Sequence, residues 1–238
     1  MNGITVILPA YKEAENLKSI LPRLEECLNG IEHEIIVVDS QVPLDDTAEI
    51  CSKVGCRHIY RTGGEFYGDA IRTGFANAQM KYTVVMDADG SHNPSDILKF
   101  YEKMENEKCD MVIGSRYCEG GDTENPWILI AMSRILNYTY RFVFRLPVED
   151  VSDSFRMYKT ENIKELKLTC QNFDIVEEIL ILLNLYNRDM KIIEVPIVFE
   201  KRAAGESKRN LMKFVFSYLA TMYTLLKIQK KAKKEIGK

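Results

Sequence analysis

The chain has 238 residues, 46% of them hydrophobic and 28% charged, with a formal net charge of −3. That is ample apolar material for a core, in one large α/β domain or two small ones, and it excludes a chain unable to fold on its own. Its longest uncharged apolar run, Phe214 to Leu226, would cover roughly 20 Å as a helix, which excludes a membrane span of roughly 30 Å.

Charge is unevenly spread. Residues 199–238 hold eleven Lys or Arg against three Glu, a net of +8, which leaves −11 on residues 1–198. Such a basic end faces phosphates, a membrane surface or nucleic acid, or is a solvated helical face. No nucleic-acid-binding module accompanies it, so nucleic acid is not expected as a partner. Six cysteines (Cys27, Cys51, Cys56, Cys109, Cys118 and Cys170) form no CxxC pair and no Cys/His metal spacing, a pattern of reduced thiols in a cytoplasmic setting. Ile4 to Leu8 is too short for a signal-peptide core and is stopped by Pro9.

In chain order, Ile4–Leu8 predicts a strand, and Leu17, Ile20, Leu21, Leu24 and Leu28 predict a helix. Glu34–Val38 predicts a second strand ending on Asp39, and Asp45 or Asp46 caps a helix running to about Val54. Residues 57–60 fit a short strand and Tyr67–Met80 a helix. Thr83–Met86 predicts a buried strand, followed by a helix entered at Pro94 with Ile97, Leu98, Tyr101 and Met104 on one face. Met111–Ile113 predicts a further strand running into Gly114-Ser115-Arg116-Tyr117. This alternation predicts an α/β fold, a doubly wound, mostly parallel sheet flanked by helices, with ligands at the carboxyl ends of its strands.

What stands at those ends is informative: Pro9-Ala10-Tyr11, Asp39, Asp87 with Asp89, and Ser115-Arg116. The stretch YTVVMDADGSHNP (82–94) ends a buried strand on two carboxylates with a breaker run behind them. Both aspartates address one ion only if the chain turns there, and Gly90, Ser91, Asn93 and Pro94 supply a turn. A hard cation takes one or two carboxylates and fills its remaining positions with water and phosphate oxygens, so this D-x-D suits a metal–diphosphate. A lone D-x-D is otherwise a solvated acidic turn. Dinucleotide and P-loop fingerprints are absent. His92 reads as a turn residue rather than a ligand, and His33 and His58 carry no functional signal.

A set of ordered motifs resembles family 2 glycosyltransferases with a GT-A fold, in the polyprenyl-phosphate, dolichol-phosphate-mannose-synthase-like branch. They are LPAYKEAENL (8–17), IIVVD (35–39), YGDAIRTGFANA (67–78), VVMDADGSHNP (84–94), VIGSRY with GG (112–121), DVSDSFRMY (150–158), IIEVPIVFEKR (192–202) and AGESK (204–208). The resemblance implies a nucleotide-sugar site made by Pro9, Tyr11, Glu13, Asp39, Asp87, Ala88, Asp89, Arg202 and Lys208. It implies Mg²⁺ or Mn²⁺ on Asp87 and Asp89, an acceptor-phosphate site at Arg116, Ser133 and Arg202, and catalytic roles for Asp89, Arg116 and Glu178. The donor it implies is a GDP- or UDP-sugar and the acceptor a polyprenyl or dolichyl phosphate. The chain departs from the usual VDDGSxDxT, carrying Ser40 where a second acid stands, and from DADLQ, carrying Gly90-Ser91.

The expected reaction is inverting transfer of a mannose- or glucose-type hexose to the lipid phosphate. Alternatives are transfer to a sugar hydroxyl, with Asp153 or Glu178 as base, and a non-catalytic nucleotide-sugar-binding protein. Residues 1–210 form the expected catalytic domain, and 211–238 an amphipathic helix from Leu211 to about Ile228 with a basic tail. Asn125–Phe144 carries Trp127, Ile128, Ile130, Ile135, Tyr138, Phe142 and Phe144, interleaved with Arg134 and Arg141 and followed by Arg145. It reads as core or as a helix lying in a membrane interface. The expected location is peripheral, at the cytoplasmic face of a membrane, with a membrane-protein partner as the other route to the bilayer.

Overall fold

The computed structural model describes residues 2–200 and 211–236, the side chains of 211–219 and 235–236 excepted. Its first half alternates strand and helix: β1 (Ile4–Pro9), α1 (Ala14–Cys27), β2 (His33–Asp39), α2 (Thr47–Val54), β3 (Arg57–Tyr60), α3 (Tyr67–Asn77), β4 (Tyr82–Val85), α4 (Asp96–Glu107) and β5 (Met111–Ser115). There follow β6 (Asp122–Thr123), α5 (Trp127–Phe144), β7 (Arg156–Lys159), α6 (Thr160–Lys164), α7 (Ile175–Tyr186), β8 (Ile192–Pro196), β9 (Val198–Phe199) and α8 (Leu211–Ile236). Seven strands form one sheet in the order β3-β2-β1-β4-β7-β5-β8, and β6 and β9 form a small parallel pair. Within the large sheet only β7 runs antiparallel to its neighbours.

The strands are continuous apolar runs because both sheet faces are covered. Val6, Leu8, Val37 and Val84 meet Leu17, Leu21 and Leu24 of α1 and Phe100 and Met104 of α4 on one face. On the other, Ile7, Ile36, Val38 and Val85 meet Ala70, Ile71 and Phe75 of α3 and Ile175, Ile179 and Leu180 of α7. Helix α3 lies so close to the sheet that a Cβ on Gly74 would sit 2.6 Å from Ile7 Cγ2. Asp45, one of the two expected caps, ties two helices: it accepts the Thr47 amide at the head of α2 and the Ala14 amide at the head of α1, each at 3.0 Å.

The sequence pattern extends α3 to Met80, but the helix stops at Asn77. The next amides are captured elsewhere: Gln79 N–H donates to Glu34 at 2.6 Å and Met80 N–H to Thr5 Oγ1 at 3.2 Å. Strands β7 and β8 lie within family motifs and were not expected as strands. Helix α5 has one face in the core and one face open to the outside. Leu136, Tyr140 and Phe144 are buried, whereas Trp127, Ile135, Tyr138 and Phe142 are 77%, 68%, 71% and 78% exposed. Helix α8 runs eight residues past its expected end. Leu225 and Ala232 are buried in clusters with residues of α7, while Tyr223 and Leu226 are exposed. Among the described residues, no helix is long and apolar enough to cross a membrane.

Candidate active site

The parallel strands β1–β5 and β8 deliver their carboxyl ends to one edge of the sheet. Running the other way, β7 begins at that same edge. The segment just before it, Asp150–Phe155, therefore arrives among the strand ends. Topology thus gathers Asp39, Asp87, Asp89, Arg116, Asp150 and Asp153 from four parts of the sequence.

After β4 the chain turns through Gly90, whose φ of +83° suits glycine. Asp87 is held by two hydroxyls: Tyr67 donates to Oδ1 at 3.2 Å and Ser154 to Oδ2 at 3.0 Å. The Tyr67 ring is fixed by stacking on Phe173 at 4.2 Å. Asp89 Oδ1 accepts from the Ser91 amide at 3.0 Å and the Ser91 hydroxyl at 2.6 Å. The hydroxyl standing in the family's amide position thus orients Asp89. Burial raises the pKa of Asp87 above the usual carboxylate range; His92 and the Ser154 hydrogen bond oppose the rise, and Asp89 and Asp153 add to it.

A divalent cation fits this donor set. It would relieve the crowded negative charge, and the two carboxylates are the hard oxygen ligands that Mg²⁺ or Mn²⁺ takes alongside water and phosphate. Among the described residues no group of three or more His, Cys, Asp or Glu forms an all-protein cage.

Arg116 lies beside this corner, and its guanidinium is engaged. Nε and Nη2 donate to the two oxygens of Asp150, each at 2.7 Å, and Nη2 also reaches Ser152 at 2.9 Å. Asp153 Oδ2 is 3.1 Å from Nε. Burial works against ionisation of Asp153, but Arg116 and then His92 outweigh it and hold the carboxyl below its ordinary range. The resemblance implies an acceptor-phosphate role for Arg116; in the fold its guanidinium is already paired. The side chain is 10% exposed and anchored between two aspartates, with its face over the Phe199 ring at 5.6 Å.

The expected nucleoside side is built from β1 and β2. Pro9 ends β1, Tyr11 is 55% exposed, and Glu13 accepts from Asn16 at 2.6 Å. Asp39 is buried; its Oδ1 accepts the Ser40 amide at 2.7 Å and its Oδ2 lies 3.2 Å from His58 Nε2. His58, without signal in the sequence, braces this aspartate. Ser40 turns its hydroxyl back onto the Val42 carbonyl at 2.8 Å. Arg61 was also missed. Its buried guanidinium joins the Asp39, Glu65, Phe66 and Ala10 carbonyls, fastening the ends of β1 and β2 to the loop before α3. A lone arginine in a Gly-rich loop gives no hint of this.

Glu178, for which the resemblance implies a catalytic role, is fully buried and hydrogen-bonded. Its carboxylate accepts the Thr169 amide and hydroxyl and the Cys170 amide at 2.8–3.0 Å, fixing the loop before α7. Its neighbour Glu177 is buried and raised to about 7, by burial first, with Arg156 and the backbone opposing. Ser133 is half-buried on α5, next to the Tyr117 hydroxyl. Ala88, between Asp87 and Asp89 in the chain, is buried. Arg202 and Lys208 lie outside the described residues.

The model of glycosyl transferase family 2 matches residues 5–167. The chain is 35% identical over 230 residues to the dolichol-phosphate mannosyltransferase of Pyrococcus furiosus, covering 94% of this chain and 64% of that protein. It thus spans somewhat under two thirds of that relative. It is 30% identical over 222 residues to the polyprenol monophosphomannose synthase of Mycolicibacterium smegmatis, covering 86% of this chain and 80% of the other. Among solved structures, glucosyl-3-phosphoglycerate synthase of Mycobacterium tuberculosis with Mn²⁺, UDP and phosphoglyceric acid superposes with a TM-score of 0.74 at 19% identity, over 94% of this chain and 78% of that one. The same enzyme with Mg²⁺ and UDP gives 0.72 at 18%, over 94% and 79%. The fold is thus of GT-A type, and by the match of the family model over most of its length the chain belongs to glycosyl transferase family 2.

Proposed function

We propose that this chain transfers a mannose- or glucose-type hexose, with inversion, from a GDP- or UDP-sugar to a polyprenyl or dolichyl phosphate. Asp87 and Asp89 hold Mg²⁺ or Mn²⁺, with Tyr67, Ser154 and Ser91 orienting the two carboxylates. When bound, the cation offsets the charge of the departing diphosphate. Asp39, Tyr11, Pro9 and Glu13 receive the nucleoside, and Arg116 fixes Asp150 and Asp153 beside the reacting centre. Arg202 and Lys208 add positive charge toward the phosphates.

One observation carries the choice of acceptor. Both candidate bases are engaged: Asp153 by Arg116 and His92, Glu178 by Thr169 and Cys170. A sugar hydroxyl requires a base, whereas a phosphate monoester, with a second pKa of about 6, arrives ionised. The mannosyl-transfer names of the two relatives support the same reading.

Residues 1–210 carry the chemistry in this reading, and α8 with its basic tail belongs to the membrane side. The exposed aromatics of α5, interleaved with Arg134, Arg141 and Arg145, suit an anionic cytoplasmic leaflet, with a membrane protein as the alternative platform. The test is a panel of radiolabelled GDP- and UDP-sugars offered with polyprenyl phosphate or with free sugar acceptors, in Mn²⁺ or Mg²⁺. Label entering the lipid phosphate and lost in Asp89→Ala is the expected result. Label entering only sugar acceptors overturns it.

A further inference from the structure

We infer that His92 is a positioning residue for the cation corner: its buried imidazole, held between Phe155 and Phe199, accepts the Asp87 amide and so sets cation affinity without touching the ion. The inference rests on reading Asp87 and Asp89 as the cation ligands.

The ring is fully shielded from solvent: Nδ1 is hydrogen-bonded, whereas Nε2 makes only a charge contact with Asp153. The Asp87 backbone N–H donates to Nδ1 at 3.2 Å. Nδ1 therefore carries the lone pair, and the hydrogen of the neutral ring sits on Nε2, 3.3 Å from Asp153 Oδ1. Asp153 is itself fixed by the Phe155 amide at 2.8 Å and by Arg116. Phe155 stacks on the imidazole at 4.7 Å and 19°, and Phe199 meets it edge-on at 5.3 Å.

The turn needs this tether. The last sheet hydrogen bond along β4 is that of the Met86 amide to Ile7, and the chain then leaves the ladder. Asp87 N–H is the next amide, in a place where an unmatched donor is costly. On the far side of the turn, the Glu200 amide holds the Ser91 carbonyl at 3.0 Å. His92 thus fixes the end that carries Asp87, and residues that orient metal ligands typically change affinity about 10–100-fold when lost.

Three variants separate the two nitrogens. Asn places an oxygen near Nδ1 but cannot reach Asp153; Gln reaches toward Asp153 but withdraws the acceptor from Asp87; Phe keeps only the stacking. Mn²⁺ uptake by the unloaded protein, with and without GDP or UDP, is read from the electron paramagnetic resonance signal of free Mn²⁺. Melting midpoints are measured beside it. We expect His92→Asn to bind within a few-fold of the parent, and His92→Gln and His92→Phe to bind at least tenfold more weakly. A nitrogen spectrum of the parent should show an unprotonated Nδ1. Tight binding by the parent with His92→Phe unchanged, or losses that follow the melting midpoint regardless of which nitrogen is replaced, overturns the inference alone. A parent that takes up no Mn²⁺, or Asp89→Ala that takes it up unchanged, overturns the cation reading and the inference with it.

Discussion

Arg116 grips Asp150 along both carboxylate oxygens, with its own backbone N–H adding a third contact at 3.1 Å. Charge and geometry are satisfied together inside the protein, so removing one side leaves the other stranded. Arg116→Ala leaves Asp150 and Asp153 buried without their cation and should cost about 3–5 kcal/mol of stability. Arg116→Lys keeps the charge without the planar fork and should fall between. Urea unfolding of the three proteins gives the ranking. Equal midpoints for parent and Arg116→Ala would show that the pair is inert.

Glu178→Gln distinguishes an anchor from a base. The amide nitrogen of Gln must face a backbone or hydroxyl donor that the carboxylate now accepts, so stability should drop by about 1–3 kcal/mol. Turnover below the unfolding range should stay within about tenfold of the parent, because loss of a general base typically costs 10²–10⁴. Single-turnover transfer at low temperature gives the answer, and a thousandfold fall would restore Glu178 to the chemistry.

Glu177 gives a pH signature. Its folded pKa, about 7, lies above its unfolded one, so the folded form holds its proton longer and stability falls as pH rises from about 4.5 through 7. Glu177→Gln removes the penalty. It should match the parent near pH 4.5 and exceed it by on the order of 2–3 kcal/mol at pH 8. Paired urea titrations across that range read the difference, and parallel curves would refute the burial-driven shift.

The exposed face of α5 should govern association with lipid. Trp127 and Phe142 each present an aromatic side chain to the outside. Burying such a side chain in an apolar phase contributes about 1.5–3 kcal/mol. Trp127→Ser and Phe142→Ser should each lower partitioning into vesicles of anionic lipid by about tenfold or more, with the melting midpoint unchanged. Cosedimentation measures it; unchanged partitioning would leave α8 or a protein partner as the route to the membrane.

Much of the site was legible because its residues sit at strand ends, where apolar runs stop on polar groups. Asp39, Asp87, Asp89 and Arg116 could each be placed at the cleft edge from local pattern alone, and their motifs carried the family. Their partners were not legible. His58 meets Asp39 across 19 positions and Ser154 meets Asp87 across 67, separations that no local periodicity spans.

By itself the sequence determined the alternation of strands and helices, the edge at which ligands gather and the acidic turn after β4, because backbone periodicity and turn chemistry are local. Tertiary structure alone decided that Arg116 is locked to Asp150 and Asp153, that Glu178 holds a loop, and that His92 accepts the Asp87 amide. The physical reason is the single reversed strand: β7 starts where its neighbours end, and it brings Asp150–Phe155 to the site. Charge pairing in that dry space depends on distances that only the folded sheet sets.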